Sequence, residues 1–220
     1  ILEGKAELEM YLPFLKENLS LSYTMTGAIL MTSNFTSSLI QPLLGFLSDR
    51  EEKPLLLPLG CLCAGVGFSL LALPSSYLLV LGLVILSGLG VASYHPEGYK
   101  TAHFFTGEKS VTGMSIFSVG GNLGFSLGPP IAIYIIQYLG FSSLPIIILP
   151  ALLCTAVIIH YREIIAVPRL EYAEHQEAAP GTPARAYLSL FFVIAIVVMR
   201  SWTQMGLLTY IPFYYINYLK

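Results

Sequence analysis

The chain has 220 residues, of which 55% are hydrophobic and 11% are charged, and its formal net charge is −2. Soluble domains carry about 25% charged residues, so this composition indicates a membrane protein. A slightly acidic chain also lacks the basic balance of a nucleic-acid-binding protein, and we expect no nucleic-acid partner.

Apolar stretches predict most of the architecture, because a membrane span needs roughly 20 apolar residues. We therefore predict an all-α, polytopic membrane helical bundle located in the cell membrane, in contact with the lipid bilayer. The stretches of spanning length are residues 24–48, 55–73, 77–95, 111–138, 142–160 and 186–216.

The first 20 residues do not contain a complete span. Residues 1–9 are polar, and residues 11–15 are apolar but too short to cross a bilayer. We expect the tip of a first helix whose body is absent, which would make the chain a fragment. The alternative is an interfacial helix over residues 1–20.

One long polar connection divides the chain. Residues 161–185 contain Pro168, Pro180, Gly181 and Pro183 together with several acidic residues, which is typical of a solvated linker. The predicted organisation is an N-terminal transmembrane bundle with an incomplete first helix at 1–160, a cytoplasmic linker at 161–185, and the first helix of a C-terminal bundle at 186–220.

The distribution of Lys and Arg predicts the orientation, because cytoplasmic loops are enriched in both residues. Placing the connection at 49–54 in the cytoplasm leaves only Lys16 and Lys220 outside, with Arg200 within a span. The basic residues then inside are Lys5, Arg50, Lys53, Lys100, Lys109, Arg162, Arg169 and Arg185.

The segment GFLSDR at 45–50 ends the first complete apolar stretch. Gly45 permits close approach of a second helix. Asp49 and Arg50 form a charge pair at the end of a span, a position that is costly unless the pair lies at the water interface. The alternative to a functional loop is a plain interfacial charge pair.

The next polar feature is His95-Pro96-Glu97, at the predicted cytoplasmic end of the stretch 77–95. Histidine titrates near physiological pH, and Glu97 is close enough along the chain to share a proton with it. Pro96 bends a helix and frees a backbone carbonyl. His95 and Glu97 are therefore candidates for proton coupling, and ordinary capping of a helix end is the alternative.

The stretch 111–138 carries two stripes with a spacing of four residues, which places each stripe along one helix face. Gly120, Gly124 and Gly128, followed by Pro129, predict close helix packing. A polar stripe of Ser118, Asn122 and Ser126 runs beside them. Asn122 is costly in lipid, so we expect it to face a neighbouring helix or the transport cavity.

Arg200 lies in the middle of the stretch 186–216, with Gln204 one turn later. A charge within the membrane indicates a functional site by default. A guanidinium at this depth is suited to bidentate binding of an anionic substrate, and pairing with an acidic residue elsewhere is the alternative. Asn122, Arg200 and Gln204 are the candidate substrate contacts.

The three cysteines, Cys61, Cys63 and Cys154, all lie in apolar stretches and are expected to be inert small hydrophobes, not disulfide partners or metal ligands. The zinc-protease spacing His-Glu-x-x-His is absent from the sequence, as are a nucleophile elbow and a P-loop. We expect no metal, no cofactor and no enzymatic activity.

Four segments together resemble the fosmidomycin-resistance branch of the major facilitator superfamily. These are SNFTSSLIQPLLGFLSDR (33–50), ASYHPEGYKTA (92–102), SIFSVGGNLGFSLGPPIA (115–132) and RSWTQMGLLTYIPFYY (200–215). The resemblance covers nearly everything from residue 11 onward. It implies a partial major-facilitator fold, comprising most of the N-terminal half and the seventh helix of a twelve-helix transporter.

The resemblance implies a proton-coupled secondary transporter that exports a drug-like or small anionic metabolite by alternating access, as in drug-resistance antiporters of the cell inner membrane. It implies a gate at Gly45, Asp49 and Arg50. The segment LVILSGLG (83–90) lacks the Arg of related antiporters, which directs attention to His95 and Glu97. The expected partners are a small-molecule substrate, protons and the missing helices of the same transporter.

Two other functions are compatible with the sequence. One is a truncated membrane protein that does not transport. The other is an uptake transporter for a metabolite or a sugar. The identity of the neighbouring coding sequence distinguishes truncation from a complete transporter.

Overall fold

The computed structural model describes residues 3–50, 55–106, 109–165 and 191–203, and every regular element among them is helical. This confirms the predicted all-α class. The chain divides into two units, Ile1–Glu174 and His175–Lys220. The division falls inside the predicted linker, whose residues 166–185 lie outside the described ranges.

The first unit contains seven α-helices among its described residues. Two 3-10 segments, Leu70–Ala72 and Phe141–Ile147, extend α4 and precede α7. In the second unit, the described helix is Phe191–Thr203. The helices of the first unit are α1 (Glu3–Asn18), α2 (Tyr23–Leu39), α3 (Gln41–Arg50), α4 (Leu56–Ser69), α5 (Tyr77–Thr106), α6 (Ser110–Leu139) and α7 (Ile148–His160).

Three described helical segments are long and apolar enough to cross a membrane, namely Tyr77–Thr106, Val111–Leu139 and Phe141–His160. Leu56–Ala72 and Phe191–Thr203 are shorter apolar helices. Each of the five overlaps a predicted span. The sequence and the structure therefore agree on where the apolar helices lie.

The predicted span 24–48 is divided into α2 and α3 by a bend at Ile40. Pro42 is the physical reason, because it has no N–H to donate to the preceding turn and restricts the residue before it. Backbone hydrogen bonding resumes directly, with the Leu44 N–H donating to the Ile40 carbonyl at 3.0 Å. Helix α3 therefore begins directly after the bend that ends α2.

The predicted span 77–95 is too short at its C-terminal end, since α5 continues through Pro96 to Thr106. A proline inside a helix removes one backbone hydrogen bond, and membrane helices tolerate this loss when neighbouring groups compensate. Glu97, Gly98 and Lys100 therefore lie on a continuous helix and not in a loop.

Helix α1 contributes one face to the core of the first unit. Leu8, Tyr11, Leu12 and Leu15 recur with helical spacing and are all buried. Helix α1 packs against α6, α2 and α4. Tyr11, Leu12 and Leu15 thus lie on a buried helix face within the first unit.

Glycines bring α4 and α5 into close contact. A Cβ atom built on Gly60 would lie 2.8 Å from the Gly90 carbonyl oxygen, and one built on Gly67 would lie 2.7 Å from the Leu83 carbonyl oxygen. These obstacles are backbone atoms, which cannot rotate away. The contact holds α5, which carries the site described next, directly against α4.

Candidate functional site

Helices α3 and α5 meet where the GFLSDR segment ends, at the end of the bundle that the basic residues predict to be cytoplasmic. Gly45 of α3 faces Pro96 of α5, and a Cβ atom built on Gly45 would lie 3.7 Å from the Pro96 Cβ. The gating candidate Gly45 and the proton-coupling segment 95–97 are therefore neighbours, although about fifty residues separate them in the chain.

Glu97 is fully buried in this contact, with 0% of its surface exposed. The Ser48 hydroxyl, which is also buried, donates a hydrogen bond to Glu97 Oε1. A buried carboxylate requires such donors, because it has lost its hydration. The residue predicted for proton handling thus lies at the helix interface, away from the aqueous surface.

Lys100 completes the contact from the next turn of α5. Its Nζ donates to the main-chain carbonyl oxygen of Ser48 at 2.9 Å. That carbonyl is near the C-terminal end of α3 (Gln41–Arg50), where a lysine complements the helix dipole. Ser48 is therefore bound twice, through its side chain by Glu97 and through its backbone by Lys100. We call these three residues the Ser48 clamp.

Ser48 and Lys100 are not among the site residues predicted from the sequence. Ser48 is within the GFLSDR segment, and Lys100 is three residues after Glu97 on the same helix, so both were adjacent to selected positions. The spacing of Glu97 and Lys100 identifies Lys100, because it places both on one face of a helix once α5 continues past Pro96. No comparable sequence signal identifies Ser48, whose contacts are between helices.

His95 is half-buried beside aromatic rings. Its ring centroid lies 6.4 Å from Tyr99 in a stacked arrangement and 6.3 Å from Tyr94 edge-on. Tyr99 in turn contacts Phe117 of α6, with 5.1 Å between centroids. His95 therefore contacts Tyr99, which contacts α6, whereas Glu97 contacts α3.

Asp49 and Arg50 are the last two residues of α3, directly after Ser48. Their side chains lie outside the described part of the structure. Their gating role stays a prediction, supported by their position one and two residues beyond the clamp.

The predicted packing and polar stripes both lie on α6. Asn122 is exposed within the first unit, and the Ser126 hydroxyl donates to its backbone carbonyl at 2.9 Å. Gly120 is exposed with nothing within 4 Å of a built Cβ, whereas Gly124, Gly128 and Pro129 are half-buried. The helix continues through Pro129 and Pro130 to Leu139.

A cleft of about 550 Å³ lies between the end of α5 and the start of α6. It is open to the surface. Imidazole, thioether and hydroxyl groups line it, from His103, Val111, Met114, Ser115 and Ser118. Ser118 also begins the polar stripe on α6.

Arg200 belongs to the second unit, on the helix Phe191–Thr203, and is exposed there. Gln204 lies outside the described residues. The proposed substrate contacts of both residues stay predictions.

The three cysteines are free thiols, with Cys61 buried, Cys63 half-buried and Cys154 exposed. The Cys61 thiol lies 3.8 Å from the Ala151 carbonyl oxygen of α7. Within residues 3–50, 55–106, 109–165 and 191–203, no three His, Cys, Asp or Glu side chains are grouped so as to hold a metal ion.

Comparison with known proteins places these features in a family. The family model described as Major Facilitator Superfamily matches residues 8–220. An uncharacterized MFS-type transporter, YfnC of Bacillus subtilis (strain 168), is 36% identical over 136 residues, covering 62% of this chain and 33% of the relative. The fosmidomycin resistance protein of Escherichia coli (strain K12) is 38% identical over 146 residues, covering 66% of this chain and 36% of the relative.

The matched region thus spans about a third of the length of these curated relatives. No solved structure matches the chain significantly.

Proposed function

This chain belongs to the major facilitator superfamily, and on that premise we propose that the protein is a proton-coupled secondary transporter that exports a drug-like or small anionic metabolite. Membership confirms three sequence-based predictions. The chain is a multi-pass membrane protein, its fold is an all-α helical bundle, and it is not an enzyme. Coupling, direction and substrate are the proposed part.

The observation that carries the coupling proposal is the burial of Glu97 between α5 and α3. A fully buried carboxylate in a membrane protein is costly and marks proton or ion pathways. Its protonation removes a negative charge from the helix interface, so the two protonation states favour different packing of α3 on α5. That difference is the requirement for coupling a proton to a conformational change.

His95 is two residues away, half-buried and closer to the surface than Glu97. In the proposed mechanism, His95 and Glu97 both handle protons, but on different faces of α5, because side chains two residues apart on a helix do not face each other. Gly45, Asp49 and Arg50 form the gate that α3 carries. Rocking of the two halves of such a transporter exposes the central cavity to each side in turn.

The proposed substrate class is supported by residue chemistry and by one relative. Arg200 supplies a fixed positive charge within an apolar helix, which suits an anionic group, and Asn122 and Gln204 supply amide groups for polar contacts. The relative named for fosmidomycin resistance supports export of a drug-like compound.

Transport into and out of proteoliposomes tests the proposal. Gradient-driven transport requires proton release and uptake at Glu97, whereas substrate counterflow requires only the conformational change. We expect Glu97→Gln to abolish gradient-driven transport and to retain counterflow. Equal gradient-driven rates in the wild type and Glu97→Gln would remove Glu97 from the coupling mechanism.

The same vesicles distinguish the alternative functions. Accumulation of substrate driven by a proton gradient of the reverse orientation would identify an uptake transporter. Loss of both activities in the wild-type protein, with correct folding shown by size-exclusion chromatography, would identify a membrane protein that does not transport.

A further inference from the structure

We propose that Ser48 is the positioning residue that transmits the protonation state of Glu97 to the gate at the end of α3. In this proposal, the Lys100 side chain holds Ser48 through the Ser48 backbone carbonyl. The inference rests on the proposed function, because it concerns how the proposed proton site acts on the proposed gate. It assigns roles to two residues that neither the sequence motifs nor the family resemblance selected.

The first step is the geometry of the Ser48 clamp. Ser48 is 1% exposed and bonds to two residues of α5, Glu97 through its hydroxyl and Lys100 through its carbonyl oxygen. Because Glu97 and Lys100 are three residues apart on a helix, both bonds come from the same face of α5. The end of α3 is therefore held at two points and not at one.

The second step is the chemistry of the hydroxyl bond. A hydroxyl that donates to an ionised carboxylate forms a charge-assisted hydrogen bond, roughly twice as strong as a neutral one. When Glu97 takes up a proton, the charge disappears and this bond weakens. The Lys100 bond to the Ser48 carbonyl remains, so one of the two described hydrogen bonds between Ser48 and α5 weakens while the other is kept.

The third step is the position of the gate. Asp49 is joined to Ser48 by a single peptide bond, and Arg50 follows it as the last residue of α3. A change in how Ser48 is held is therefore transmitted to the gate through the backbone. No longer chain of contacts is needed.

Few charged groups lie on the helices that pack against Glu97 and its helix α5. Four helices pack against α5, namely α2, α3, α4 and α6. Only α3 among them contains Asp, Glu, Lys, Arg or His, and these are Asp49 and Arg50. On α5 itself, the other charged or imidazole side chains are His95, Lys100 and His103. The remaining titratable side chains on these helices are phenols and thiols, namely Tyr23, Cys61, Cys63, Tyr77, Tyr94, Tyr99, Tyr134 and Tyr138.

The test measures the exposure of the gate directly. A reporter cysteine replaces Lys53, three residues beyond Arg50, in the whole protein reconstituted in vesicles. The rate of its modification by a membrane-impermeant maleimide, added from the predicted cytoplasmic side, reports release of the end of α3. Protein without the reporter gives the background from the three native cysteines, and retention of transport qualifies the reporter.

We expect Glu97→Gln, which is permanently uncharged, and Ser48→Ala each to raise the labelling rate by about tenfold, the effect of losing a hydrogen bond to a charged group. The double variant should be labelled no faster than either single variant. Ser48→Ala should also lower the maximal rate of gradient-driven transport while leaving KM unchanged. Ser93→Ala is the matched control, because the Ser93 hydroxyl is buried on α5 and bonds to its own helix, at 2.9 Å from the Gly90 carbonyl oxygen.

Lys100→Met provides a second route to the same result. It removes the backbone bond and leaves the Ser48 side chain intact, so it carries the test if alanine at position 48 impairs folding. We expect faster labelling of the reporter in this variant as well.

The outcomes separate the inference from the proposed function. A wild-type labelling rate in folded Ser48→Ala, with a raised rate in Glu97→Gln, would overturn the role of Ser48 and leave Glu97 as the coupling site. Multiplicative effects in the double variant would show that the two residues act independently, which also overturns the inference. Wild-type labelling and wild-type gradient-driven transport in Glu97→Gln would overturn both.

Discussion

Gly45 of α3 and Pro96 of α5 are in contact such that a methyl group on Gly45 would lie 3.7 Å from the Pro96 Cβ, an ordinary van der Waals distance. The two helices are therefore close without being interlocked at this position. The space allows one added carbon atom and little more.

The first prediction concerns that space. Gly45→Ala should leave folding and transport close to wild type, because its methyl group fits. Gly45→Leu should separate α3 from α5 and reduce transport, because overpacking displaces one helix from the other. Transport assays and thermal unfolding in detergent provide the comparison. A Leu variant with wild-type transport would show that the α3–α5 distance is unimportant for gating.

The second prediction concerns the contact between α4 and α5. In Gly60→Ala, the new Cβ would meet the Gly90 carbonyl oxygen at 2.8 Å, and overpacking of this kind costs about 1–3 kcal/mol. We expect a clear loss of thermal stability. Gly82→Ala is the matched control on α5, because nothing lies within 4 Å of a Cβ built there. Equal melting temperatures for the two variants would contradict the close contact.

The third prediction concerns Arg200. Arg200→Gln should weaken transport of an anionic substrate, with a KM about tenfold higher or more, because the proposed bidentate charged contact would be lost. Expression and folding should be unchanged. Arg200→Lys keeps the charge without the bidentate geometry and should give an intermediate KM. Normal transport in Arg200→Gln would remove this residue from the site.

The fourth prediction concerns Asn122, which is exposed on α6. If it faces the transport cavity, Asn122→Leu should reduce transport with stability unchanged. If it faced lipid, the same change would raise stability, because it removes a polar group from the hydrocarbon region. Val119→Leu, on an exposed apolar position of the same helix, serves as the control. Higher stability with full transport in Asn122→Leu would show that the residue faces lipid.

Apolar length alone predicts α6 to within one residue at each end, 111–138 against Ser110–Leu139. This works because a membrane helix is defined by its hydrophobic length more than by local capping signals. The end of α5 is harder, because Pro96 and Glu97 look like a helix end in isolation. Helix α5 continues to Thr106 because packing by α3 and α6 supports the interrupted turn.

The Ser48–Glu97 contact illustrates what sequence reasoning cannot supply. Each residue attracts attention through its own neighbours, Ser48 through the Asp49–Arg50 pair and Glu97 through His95. Their pairing depends on the bend at Ile40 and on the glycine contact that sets the position of α5. Pro42 accounts for the bend locally, but the glycine contact and the approach of α3 to α5 are tertiary effects that local patterns do not encode.

The glycine contact between α4 and α5 also constrains how this protein can be recombined with its relatives. A graft of α4 has to keep glycine at positions 60 and 67, and a graft of α5 has to keep glycine at position 90, because a Cβ at any of these positions would meet backbone atoms of the other helix. Compatibility of a chimera is therefore decided at these three positions of the α4–α5 contact.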